Sequence, residues 1–201
     1  MKVLITTLGR SHFIQLASSL IAAGVDAYLL QGWIVKNAQK SWFVRMAMKL
    51  LGRGESFVYG MSKRETPELS GRNIGDFGAE FVQAVLERTI GRVNSWWWNW
   101  SVKMGFKLHG WKMARMLKRA RYDIIHVKSG LGRGGCIRVA KARKVKVLVD
   151  HGAGAPEFIA ETVGNKKLRP SSYWWSVQED CDEADLLLVN SDWVKETFLM
   201  Y

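Results

Sequence analysis

The stretch Lys144–Pro156, KVKVLVDHGAGAP, limits what this chain can become more than any other. Val145, Val147, Leu148 and Val149 form a β-branched apolar run, the pattern of a strand buried in a parallel sheet. The run stops at Asp150-His151 and gives way to the small-residue loop Gly152-Ala153-Gly154-Ala155-Pro156. Open α/β sheets take their ligands outside the carboxyl ends of the strands, so an ionisable pair there marks a candidate site. The His151 imidazole suits donation to a hydroxyl, or proton transfer near neutral pH. A histidine bonded to a loop carbonyl is the plain structural alternative. Asp150 fits either orientation of His151 or support of the loop.

The rest of the chain carries the same alternation at both ends. Lys2–Thr7 reads as a first strand and Leu8–His12 as a turn. Phe13, Leu16, Ala17, Leu20 and Ile21 then recur at helical spacing up to Gly24. Asp26–Gln31 is the next strand, which completes a right-handed βαβ unit. Further on, Tyr122–Val127 is a strand, Cys136–Arg143 a helix, and Pro156–Val163 and Ser171–Glu183 further helices. Asp185–Val189 reads as a strand with continuous burial, and Ser191 as the N-cap of a last helix. The expected fold is α/β: a single Rossmann-like, three-layer α/β/α domain over residues 1–201 with a mostly parallel sheet. The last helix has no stop signal before Tyr201, as expected of a piece of a longer protein.

Residues 33–121 break the pattern and form an expected basic, Trp-rich helical insertion. A helix is predicted from Ser41 to Leu51, an irregular loop over Glu55–Asp76, a helix over Ala79–Arg88, and, after the tryptophan run Trp96–Trp100, a long helical stretch to Ala120, weakened locally at Gly105 and Gly110. This segment holds most of the ten tryptophans and much of the net charge of +12. Such a surface meets nucleic acid or an anionic membrane face. Neither a base-stacking platform nor a recognition helix is visible, so an anionic membrane surface is the expected partner and nucleic acid is not. No apolar run is long enough to span a bilayer, and the N-terminal apolar run is too short for a signal-peptide core. Cys136 and Cys181 lie far apart without metal-ligand spacing, as reduced thiols do in a cytoplasmic protein.

Gly130-Leu131-Gly132-Arg133-Gly134-Gly135 matches G-x-G-x-x-G between a strand and a helix, with Asp150 following at the end of the next strand. That is the dinucleotide fingerprint on paper, with Asp150 on a ribose. The alternative is a flexible βα loop. The Gly9-Arg10 turn at the start of the first helix is a phosphate-binding candidate, or a plain turn. His109, Glu157, Glu161, Glu179 and Asp180 read as solvated helix-surface residues. No His/Cys/Asp/Glu set has metal spacing.

Glu183–Phe198, EADLLLVNSDWVKETF, resembles the end of the N-terminal domain in retaining glycosyltransferases of the GT4 type. Gly9 with its helix, the strand YDIIHV (Tyr122–Val127) and the Asp150–Pro156 loop resemble three further segments of that family in order and spacing. The resemblance implies one half of a GT-B fold. This half would bind the acceptor, and a C-terminal domain outside the chain would hold the nucleotide-sugar. It implies transfer of a sugar, with retention and without a metal, from a nucleotide-sugar substrate to a glycan or lipid-linked acceptor, with no other cofactor. It places His151 as the catalytic residue, Gly9, Arg10 and Gly152 on the donor phosphates, and His12, Ser129 and Asp150 on the acceptor. The protein would be cytoplasmic, peripheral at the inner face of a membrane. An NAD(P)-binding domain using Gly130–Gly135 and Asp150, and a non-enzymatic peripheral membrane module, are the alternatives.

Overall fold

The computed structural model describes residues 1–8, 12–34, 66–90, 93, 95–153 and 172–200, with positions 42, 46, 49 and 158. Six parallel strands form one sheet in the order β3-β2-β1-β4-β5-β6. They are β1 (Lys2–Thr7), β2 (Asp26–Gln31), β3 (Asn73–Gly75), β4 (Ile124–Lys128), β5 (Lys146–His151) and β6 (Leu186–Val189). The expected α/β class and Rossmann-like architecture hold, and the sheet is wholly rather than mostly parallel. The strand order reverses between β1 and β4, so this is the position where doubly wound sheets open a ligand crevice.

Strand alternation sorts side chains to the two faces. Val3, Ile5, Ala27 and Leu29 meet Phe13, Ile14 and Ala17 of helix α1 (Phe13–Ala22) on one face. Leu4, Ile125, Val127, Val147 and Val149 meet the other layer. That layer contains α3 (Ser95–Arg119), α4 (Cys136–Ala142) and α5 (Ser172–Asp182), contributing Met113, Leu117, Ile137, Ala140 and Val177. Helix α2 (Phe77–Arg88) packs beside α3, and α6 (Asp192–Leu199) closes the last unit. Ser191 caps α6 as expected, accepting from the Val194 N–H at 3.2 Å.

Three readings change. Within Glu55–Asp76, expected to be irregular, Asn73–Gly75 is strand β3, with a short 3-10 turn at Pro67–Leu69 before it. Three residues are too few to show a period; pairing with β2 and the Gln31 side-chain bond to Asn73 (2.8 Å) hold the strand in place. β6 is not buried throughout: Leu186 is 52% exposed because β6 lies at the sheet's end. Gly105 and Gly110 do not merely loosen α3. A Cβ at Gly105 would stand 2.6 Å from the Gln83 Oε1 of α2, and one at Gly110 would stand 2.5 Å from the Leu131 carbonyl oxygen. These glycines let α3 approach its neighbours. The predicted helices at Ser41–Leu51 and Pro156–Val163 fall outside the described residues, apart from isolated positions.

Candidate functional site

Because side chains alternate along β5, Asp150 and His151 leave the sheet on opposite faces. Asp150 turns toward α1. Its Oδ2 lies 3.0 Å from the His12 Nε2 at the start of that helix and 3.8 Å from the His126 Nε2 of β4. The first distance is a hydrogen bond. The second is too long for one and leaves a charge contact. Burial raises the Asp150 carboxyl pKa, but the two imidazoles outweigh it and hold the group below its usual range. Asp150 is therefore ionised at neutral pH. The His12 side chain is 62% exposed, so one end of its ring is held and the rest faces solvent. His126 is buried, its ring edge-on to Phe13 at 4.9 Å, and its Nε2 finds no hydrogen-bond partner among the described residues. Buried polar atoms are seldom left this way, and this one stands beside an ionised carboxylate at the carboxyl end of the sheet.

His151 belongs to the other face. It is 3% exposed, its Nδ1 lies 2.8 Å from the Ser129 Oγ, and its ring meets Phe198 edge-on at 5.3 Å. Gly152 follows at the surface, its carbonyl accepting from the Asn190 side chain at 3.3 Å. The structure thus joins Asp150 with His12, and Ser129 with His151, as two separate pairs. Gly9 and Arg10 lie outside the described residues. His126 was missed by the sequence reading. Its signal was present: Ile124 faces α1, so period-two alternation sends His126 there too.

The G-x-G-x-x-G loop has a structural explanation. The N–H groups of Gly130 and Gly132 both donate to Asp180 Oδ2, at 2.7 and 2.9 Å. The carboxylate of α5 fills the place a dinucleotide phosphate would take, and Asp150 is committed to His12 rather than a ribose. Gly134 is required by packing, since a Cβ there would sit 2.0 Å from the backbone nitrogen of Trp111. This geometry speaks against the dinucleotide alternative. Asp180, read as solvated, is 4% exposed, because two backbone donors draw it under the loop. Glu179 is exposed as expected, and Glu157 and Glu161 lie outside the described residues.

Burial pushes the Asp180 carboxyl up to about 7, with Glu179 and Glu183 adding to the rise against the pull of the two N–H bonds. A carboxyl raised on folding stabilises fully below its unfolded pKa, about 4, and loses that contribution as pH climbs to about 7. Wild-type stability in urea should therefore fall across this window by up to about 1.4 kcal/mol per pH unit from this group. Asp180→Asn keeps an acceptor for the two N–H groups and should flatten that slope. An unchanged slope would show that Asp180 titrates normally.

His109, also read as solvated, is fully buried. It bridges Thr6 Oγ1 (2.6 Å) and Asp76 Oδ2 (2.8 Å), with Lys112 Nζ 3.7 Å from the other Asp76 oxygen. Burial raises the Asp76 carboxyl, but His109 and Lys112 hold it below its ordinary value. This network ties α3 and α2 to β1. Burial pushes the Cys181 thiol up to about 12 and Cys136 higher still, so neither is a thiolate nucleophile.

No family model matches the chain. No curated protein matches it. Nineteen chains of solved structures are similar. One is UDP-GlcNAc 2-epimerase from Methanocaldococcus jannaschii, at a TM-score of 0.46 and 14% identity, covering 100% of this chain and 42% of that one. The chain thus spans less than half of that protein's length. The Rossmann-like assignment itself rests on the strand order and pairing. Among the described residues no helix is long and apolar enough to cross a membrane.

Proposed function

We propose that this chain is the acceptor-binding half of a retaining glycosyltransferase that uses a nucleotide-sugar. One observation carries the reading. At the point where the strand order reverses, an exposed imidazole, His12, is held by an ionised carboxylate, Asp150, with the buried His126 ring against the same carboxylate. Such a pair suits gripping an acceptor hydroxyl: Asp150 fixes the ring, and the ring meets the hydroxyl. The resemblance of EADLLLVNSDWVKETF to the retaining transferases supplies the reaction class.

In this reading Gly9, Arg10 and Gly152 face the donor diphosphate across the cleft, where helix N–H groups and a cation stabilise the leaving charge. The second wall of the cleft, with the nucleotide site, belongs to a further domain. His151 takes a different part from the one first expected. Buried against Ser129 and Phe198, it positions the turn that carries Asp150 and Gly152, and Ser129 supports it. The acceptor is membrane-linked. Trp96, Trp98 and Trp111 are exposed along α3, which also bears Lys103, Lys107, Arg115 and Lys118, and this composition suits an anionic headgroup layer.

The test is an assay of the protein expressed from its complete reading frame. It should release nucleotide from one of a panel of UDP- and GDP-sugars when given a membrane lipid extract. Release that never depends on added acceptor, or no release from any donor, would contradict the proposal.

A further inference from the structure

A cavity of about 560 Å³ opens between α2 and α3, and its described lining includes neither His12 nor Asp150. Its wall on α3 carries Lys112, Arg115 and Arg119, which the helical repeat places on one side. Among the described residues of its lining the single carboxylate, Asp76, is already engaged by His109, Lys112 and the Ala79 N–H. Arg115 lies 4.4 Å over the Trp111 ring, and neither Arg115 nor Arg119 pairs with a carboxylate among the described residues. Val82, Leu108 and Met116 supply an apolar surface beside these cations.

A hollow with a cationic rim and an apolar wall matches one ligand chemistry. We infer that the cavity binds a phosphate-bearing amphiphile, with the phosphate on Lys112, Arg115 and Arg119 and the chain against Val82, Leu108 and Met116. The guanidinium groups suit the paired oxygens of a phosphate, and the apolar wall rewards a chain that a free phosphate lacks. As the grip on a lipid-linked acceptor, this role rests on the transferase reading. As a binding site, it rests on the cavity alone.

The test is isothermal titration of the protein with three probes: short-chain phosphatidic acid below its micelle concentration, phosphatidylcholine of equal chain length, and inorganic phosphate. Phosphatidic acid should bind saturably and most tightly. Arg115→Gln with Arg119→Gln should weaken it by about tenfold or more, the loss expected for charge-assisted bonds. Both arginines are exposed, so their removal leaves the core intact. Val82→Glu, on the facing helix, should produce a similar loss by repulsion. His12→Ala should leave the binding unchanged, which separates this site from the transferase chemistry. Equal binding of phosphatidylcholine would overturn the cationic rim. Equal binding of inorganic phosphate would overturn the apolar wall. Absence of phosphatidic acid binding, or indifference to both sets of variants, would overturn the site.

Discussion

Gly134→Ala should strongly destabilise the protein. The added methyl would stand 2.0 Å from the Trp111 backbone nitrogen and 2.2 Å from the Gly110 carbonyl carbon. Both are backbone atoms of α3, a long helix anchored in the core by Met113 and Leu117. A side chain could swing aside; a helix backbone has to translate, and every core contact it makes moves with it. Overpacking a core by a methylene costs about 1–3 kcal/mol when side chains yield. Here the expected loss is about 4 kcal/mol or more, against a total stability of about 5–15 kcal/mol. Gly152→Ala is the control. Among the described residues its Cβ would meet only the Asn190 Nδ2, at an ordinary 3.6 Å, so the change should stay within about 0.5 kcal/mol. Urea midpoints of the two variants make the comparison. A Gly134→Ala protein as stable as wild type would mean that α3 does not rest on the Leu131–Gly134 turn.

The second large effect concerns activity. His12→Ala and Asp150→Asn should each lower kcat/KM for acceptor by about tenfold to a hundredfold, the range for losing a positioned hydrogen-bonding group. The double variant should be no worse than the worse single one. Asp150 acts through His12, and residues that act as a unit do not add. Additive losses would show two independent roles. The pH behaviour follows from the depressed Asp150 pKa. A carboxylate held low on folding contributes stability above its unfolded pKa of about 4 and loses it only as pH falls through its lower folded value. The His12–Asp150 contact should therefore keep its carboxylate charge through the neutral range, and a fall in activity on mild acidification must come from another group.

Much of the fold was legible because it depends on local periodicity. The Lys2–Thr7, Asp26–Gln31 and Lys146–His151 strands and the Phe13–Ala22 helix all show their period within a few residues. β3 did not, because Asn-Ile-Gly is too short to have one. The site was legible in its address rather than its partnerships. Asp150 was found because it ends a buried strand, but its bond to His12 joins residues far apart in the chain. Asp180 shows the same limit more sharply. It stands on an ordinary helical stretch, and only the fold brings it under the Gly130–Gly132 loop, where it fills the site that the motif advertised. Gly105 and Gly110 were read by propensity as weak points. Their function is steric and needs the neighbouring element in view. His151 and Asp150 are neighbours in sequence, yet the pleat sends them to opposite faces, His151 to Ser129 and Asp150 to His12.

The four histidines of the chain supply the most direct test, because the structure assigns them different places. His12 and His126 flank Asp150, whereas His109 and His151 are buried in bonds to Thr6, Asp76 and Ser129. Proton–carbon NMR of the imidazole rings, recorded while nucleotide-sugars and then a lipid acceptor are added, reads all four at once and detects weak binding. The His12 and His126 signals should move together, saturably, while that of His151 stays in place; His109, bonded to Asp76 in the lining of the lipid cavity, reports on that cavity instead. Saturable movement of His151 with His12 and His126 unchanged would contradict the site proposed here.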